Sequence, residues 1–112
     1  MDASPHPPAV ERCRATVLFA DIVGFSDLSE EAGTELAYTL VTGALRLLDG
    51  IARRHGAAVD KYMGDALMAV FGWPVKSAGA AAALDAAVEM QRALAEYTRD
   101  VASPVPLGLQ VG

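Results

Sequence analysis

Short apolar runs alternating with longer amphipathic stretches predict an α+β domain: a ferredoxin-like βαββαβ sheet with its helices on one face. Three observations carry this expectation. An apolar run at 14–20 precedes two helical stretches. Two further apolar runs, at 57–63 and 65–71, are separated only by Gly64. That spacing makes them a tight hairpin, which excludes an all-parallel sheet. A last helix and strand complete the order. The chain has 112 residues and is 53% hydrophobic, enough for one domain with a buried core.

Taken in order, residues 1–13 form a Pro-rich leader containing Pro5, Pro7 and Pro8, a flexible composition. The domain proper then spans 14–112. Thr16, Val17, Leu18 and Phe19 give the first strand its buried character, and Asp21 ends it. Gly24 breaks the chain, and Ser26 and Asp27 are candidate caps for a short helix. Thr34 is a candidate cap for a longer helix reaching about His55. Its apolar face is expected to hold Leu36, Leu40, Ala44, Leu47, Leu48 and Ile51. Arg53, Arg54 and His55 suit the negative end of the helix dipole, and Gly56 is a natural stop. After the hairpin strands, Gly72, Trp73 and Pro74 make a turn. A helix over 78–98 follows, with Leu84, Ala87, Val88, Gln91 and Leu94 facing inward. Met63, Met68 and Met90 read as core filler. A strand over 105–111 comes last.

Composition narrows the function. The formal charge is −5, with acids and bases mixed along the chain. No basic stripe offers itself to a nucleic-acid backbone. An acidic protein that binds a polyanion needs a local remedy, such as metal ions or a helix N-terminus. Cys13 is the only cysteine, so no internal disulfide forms and a cytoplasmic setting is expected. No stretch approaches the ~20 apolar residues of a membrane helix, and the N-terminus lacks the apolar core of a signal peptide.

In the expected sheet the first and third strands are antiparallel neighbours. Asp21 at the end of one then lies beside Asp65 at the start of the other. Two close carboxylates repel unless something positive sits between them. A pair of Mg²⁺ or Mn²⁺ ions suits such an arrangement, with the Ile22 carbonyl as a further oxygen ligand. The loop Gly24, Phe25, Ser26 leads into a helix, so its amides are candidates for phosphate oxygens. An Asp after a strand also caps the helix that follows. An Asp after a hairpin glycine is also ordinary turn chemistry. Residue type alone leaves these readings open.

The run Phe19-Ala20-Asp21-Ile22-Val23-Gly24-Phe25-Ser26 resembles the opening motif of class III adenylate and guanylate cyclase catalytic domains. Asp60-Lys61-Tyr62-Met63-Gly64-Asp65-Ala66-Leu67-Met68-Ala69-Val70-Phe71-Gly72 resembles their second motif, at a fitting distance. The resemblance covers about 14–112. It implies that Asp21 and Asp65 bind two metal ions with help from the Ile22 carbonyl, and that Gly24, Phe25 and Ser26 contact the triphosphate. It implies conversion of ATP to 3′,5′-cyclic AMP and pyrophosphate, by in-line attack of the ribose 3′-hydroxyl on the α-phosphorus, for intracellular signalling. It also implies head-to-tail homodimers with shared active sites.

Lys61 matches the family position that reads the purine. Lysine carries only donors, and adenine N1 is an acceptor, whereas guanine presents N–H groups there. Lys61 therefore argues for ATP. The family's second purine contact, ribose-orienting Asn and transition-state Arg fall beyond Gly112, so the resemblance is to the N-terminal portion of the domain. On that ground the chain by itself is expected to turn over little. A non-catalytic cyclase-homology module that dimerises or regulates is the alternative. A diguanylate-cyclase relative is disfavoured, since no Gly-Gly-Asp/Glu-Glu-Phe run exists.

Overall fold

The computed structural model describes residues 15–63, 65–72, 79–101, 103 and 107–112, the side chains of residues 60–63 excepted. Strand β1 (Thr16–Val23) leads through helices α1 (Phe25–Ala32) and α2 (Thr34–Arg54) to the hairpin strands β2 (Ala58–Met63) and β3 (Ala66–Phe71). Helix α3 (Ala80–Asp100) and strand β4 (Gly108–Val111) follow. The sheet order is β2-β3-β1-β4, and each neighbouring pair is antiparallel. β1 and β2 both oppose β3, so they run parallel without touching, which is the split βαβ arrangement expected of the sequence.

The sheet has two unlike faces. Leu18, Ala20 and Ile22 of β1 and Leu67, Ala69 and Phe71 of β3 are buried. They meet Ala37, Val41, Ala44, Leu45, Leu48 and Ile51 of α2 and Ala83, Ala86, Met90 and Leu94 of α3 in one core. The alternate residues Val17, Phe19 and Val23 remain exposed, as the two-residue period of a strand demands when only one face is covered.

Several local expectations are corrected. Asp21 does not end β1, which runs on to Val23; β1 is central and laddered on both sides there. Ser26 and Asp27 do not cap α1. Gly24 takes the N-cap position at φ 111°, a left-handed conformation that favours glycine, and no side chain bonds the free amides. Gly33, not Thr34, is the N-cap of α2. The Thr34 hydroxyl instead pairs with the Ser29 hydroxyl at 2.9 Å.

Both long helices bury part of the expected face, Ala44, Leu48 and Ile51 on α2 and Leu94 on α3, but not all of it. On α2, Leu36 is 47% exposed, Leu40 and Leu47 are only partly buried, and Ala37, Val41 and Leu45 point inward. On α3, Leu84 is 66% exposed and Val88 and Gln91 also face outward, while Ala83, Ala86 and Met90 are buried. Alanines at several inward positions let helix and sheet approach closely. Met68 is only partly buried, because its partner Phe19 marks the uncovered face. Of the strand expected over 105–111, residues 108–111 are extended. Residues 105 and 106, Trp73, Pro74, the leader and the Met63 side chain fall outside what is described.

Tyr97 locks the helix pair. Its hydroxyl donates to the Leu40 carbonyl at 2.7 Å. A Cβ on Gly43 would run into that hydroxyl, so glycine is what permits the approach. At the far end of α2, Arg54 and His55 both reach Glu89 of α3, His55 Nε2 lying 2.8 Å from Glu89 Oε1.

Candidate active site

The site is built from the β1–β3 ladder outward. Asp21 pairs with Ala66 on β3 and Gln110 on β4. Asp65 sits one residue before β3, and the Ile22 N–H donates to its carbonyl at 2.9 Å. This bond carries the ladder one step past the strand and brings the two aspartates together, 44 positions apart in sequence.

β1 then turns sharply at Gly24 and becomes α1. The strand end and the helix start thus enclose one cleft of about 290 Å³, lined by Asp21, Ile22, Gly24, Phe25, Ser26 and Asp65. Val23 and Asp27 complete the lining. Every site residue proposed from the sequence is present there except Lys61. Lys61 lies on β2 opposite Met68, and its side chain is outside what is described.

Two physical features define this cleft. Asp21, Asp65 and Asp27 give it negative charge, and among the described residues none of the lining is cationic. Against this, the first turn of α1 forms part of its wall. The first bond of the helix is Leu28 N–H to Gly24 O at 2.9 Å, so the N–H groups of Phe25, Ser26 and Asp27 have no partner within the helix. One cleft therefore offers carboxylate and carbonyl oxygens to a hard cation and amide donors to an anion. An all-oxygen donor set suits Mg²⁺ or Mn²⁺ rather than a softer metal. Among the described residues, no three His, Cys, Asp or Glu side chains cluster closely enough to hold a metal between them. Two carboxylates, with oxygens from elsewhere, make the donor set.

Asp27 is the lining residue that sequence reasoning assigned otherwise, as a cap. Its acidic side chain in the first turn of α1 was the available signal, and it reads equally as a helix-dipole partner.

The sheet brings two aspartates to one end, beside a helix that starts at a glycine. The family described as the Adenylate and Guanylate cyclase catalytic domain matches residues 9–112, and the chain belongs to it. The chain is similar to an adenylate cyclase of Anabaena cylindrica, 33% identical over 84 residues, covering 75% of this chain and 16% of that protein. Its fold resembles the crystal structure of the adenylyl cyclase CyaB from P. aeruginosa, with a TM-score of 0.82 at 30% identity over 91% of this chain and 55% of that one. The guanylate cyclase domain of RhGC from Catenaria anguillulae, in complex with GTP, shares the fold, with a TM-score of 0.72 at 24% identity. That match covers 88% of this chain and 53% of the other. The chain thus spans about half of these solved domains. Among the described residues no helix is long and apolar enough to cross a membrane.

Proposed function

We propose that this domain converts ATP to 3′,5′-cyclic AMP and pyrophosphate for intracellular signalling in the cytoplasm. In this reading residues 14–112 are cyclase domain and 1–13 a flexible leader. The observation that supports it most is the single cleft where Asp21 and Asp65 meet the amide end of α1. Asp21 and Asp65, with the Ile22 carbonyl, would hold two Mg²⁺ or Mn²⁺ ions. When bound, the ions supply Lewis-acid activation of the ribose 3′-hydroxyl and neutralise the phosphate charge. Gly24, Phe25 and Ser26 orient the triphosphate through backbone amides, which add fixed positive ends without mobile charge. Lys61 donates to adenine N1, in a site completed by the other subunit of a head-to-tail dimer. Both adenylate and guanylate cyclases share the fold, so the ATP preference rests on the chemistry of Lys61.

The test uses the chain within its whole cyclase domain. Asp21→Ala or Asp65→Ala should each remove cyclic AMP synthesis, by roughly a thousandfold or more, because residues that act as one unit are not additive. Near-normal turnover by either variant would sink the metal assignment. The dimer is tested by mixing Lys61→Glu with Asp21→Ala subunits. One of the two composite sites then carries neither lesion, so activity should return. A mixture that forms heterodimers yet stays dead would disprove the shared site.

A further inference from the structure

A second cleft lies on the other side of Phe25 and Asp65, walled by Tyr38, Val41 and Thr42 of α2, with a volume of about 300 Å³. That volume sits at the small end of the range of ligand pockets, ~300–1,000 Å³. Its lining is mainly apolar, with Val41 forming a buried floor. Tyr38 stands at the rim, 67% exposed.

Two hydroxyls of this cleft make no hydrogen bond among the described residues. Thr39 and Thr98 donate their hydroxyls back to the carbonyls of Glu35 and Leu94, four residues earlier, at 3.1 and 2.8 Å. Thr42 is half-buried on the same helix as Thr39, and its hydroxyl makes no such bond among the described residues. The Tyr38 hydroxyl likewise has no hydrogen bond among them. Among the described residues of the lining, Asp65 is the only charged one.

We propose that this cleft is a binding site for a small organic cation with an apolar body, an ammonium carried on a ring or a short chain. The chemistry of each wall selects that class. Two aromatic rings, Phe25 and Tyr38, attract a cation to their faces. One carboxylate, Asp65, favours positive charge and repels an anion. The Thr42 hydroxyl accepts an N–H, and Val41 takes the apolar body out of water. An occupant would touch Phe25 and Asp65, which also line the acidic cleft, so the two sites share a wall. The proposal does not rest on the cyclase reaction and is tested without it.

The experiment titrates the isotope-labelled 112-residue chain with three probes of one shape: phenethylammonium, 2-phenylethanol and 3-phenylpropionate. Amide resonances are followed by NMR. The ammonium should give saturable shifts at Phe25, Tyr38, Val41 and Thr42, and bind about five-fold tighter than the alcohol, as a partly exposed charge pair allows. The carboxylate should bind weakest. Asp65→Asn should level the ammonium with the alcohol, and Tyr38→Ala should weaken both. Absence of saturable shifts at those four residues, or equal binding of all three probes to the wild-type chain, overturns the proposal. The probe ranking on the wild-type chain decides the matter even where a variant fails to fold.

Discussion

The two faces of β1 are one residue apart and serve opposite ends. Leu18, Ala20 and Ile22 are packed beneath α2 and α3, whereas Val17, Phe19 and Val23 stand exposed on the far side. Asp21 belongs to the second set by position, yet its backbone is fixed by the first, between buried Ala20 and Ile22. A carboxylate that must share charge with another has to be held close to it against repulsion. The covered face supplies the rigidity, and the uncovered end supplies the chemistry. Stability and function should therefore respond separately to substitutions on the two sides.

The largest separation is expected between Phe71 and Asp21. Phe71 is fully buried at the end of β3. Phe71→Ala should cost ~3–5 kcal/mol of unfolding free energy through lost burial and the cavity left behind, read by denaturant titration. Asp21→Ala, which ends turnover under the proposed function, should leave the denaturation midpoint close to that of wild type. An Asp21→Ala protein as unstable as Phe71→Ala would show that the aspartate is a structural group.

A smaller effect probes how the covered face is closed. Gly43→Ala drives a methyl into the Tyr97 hydroxyl and should cost ~1–3 kcal/mol, the range for overpacking. Tyr97→Phe should cost about 1 kcal/mol for the lost bond to Leu40 O. The double variant should be more stable than the sum of the two, since removing the hydroxyl makes room for the methyl. Strict additivity of the costs would show that the two residues do not meet.

The smallest effect concerns the exposed rim of the helix layer. Hydrogen bonds from Arg54 and then His55 hold the Glu89 carboxyl below its usual pKa of 4.5. A lowered carboxylate pKa gives stability that is present above the ordinary value and lost as pH falls through the lowered one. The stability difference between wild type and Glu89→Gln should therefore be small at neutral pH and shrink further as pH drops below 4.5. A difference that grows in acid would reverse the sign and refute the linkage.

The parts legible in the sequence were those set by local chemistry at a fixed spacing. Gly64 between two apolar runs signalled the hairpin, and the hairpin in turn placed Asp65 beside Asp21. The helix faces were partly misread because hydrophobicity was weighted by size. Leu36 and Leu84 outrank Ala37 and Ala83 on any transfer scale, but close packing of α2 and α3 on the sheet depends on the alanines, and how near two elements lie is a tertiary fact. The short helix was read as capped by Ser26 or Asp27 because those residue types lead the N-cap statistics. Gly24 took the position instead, since the chain has to reverse from strand to helix within one residue and left-handed φ is open to it.

That corner at Gly24 has a kinematic consequence. α1 contains eight residues, or about 12 Å at 1.5 Å per residue. Glycines at positive φ bound it at both ends, Gly24 and Gly33, and a swing about Gly24 has its short arm at the cleft. A rotation of about 10° there would carry the C-terminal end, beside Gly33, through about 2 Å, while the amides of Phe25 and Ser26 near the pivot move by well under 1 Å. The donor end of the lever stays in the cleft wall while the distal end moves. A rotation about Gly24 would therefore leave the first amides of α1 nearly where they are while its far end moves with α2.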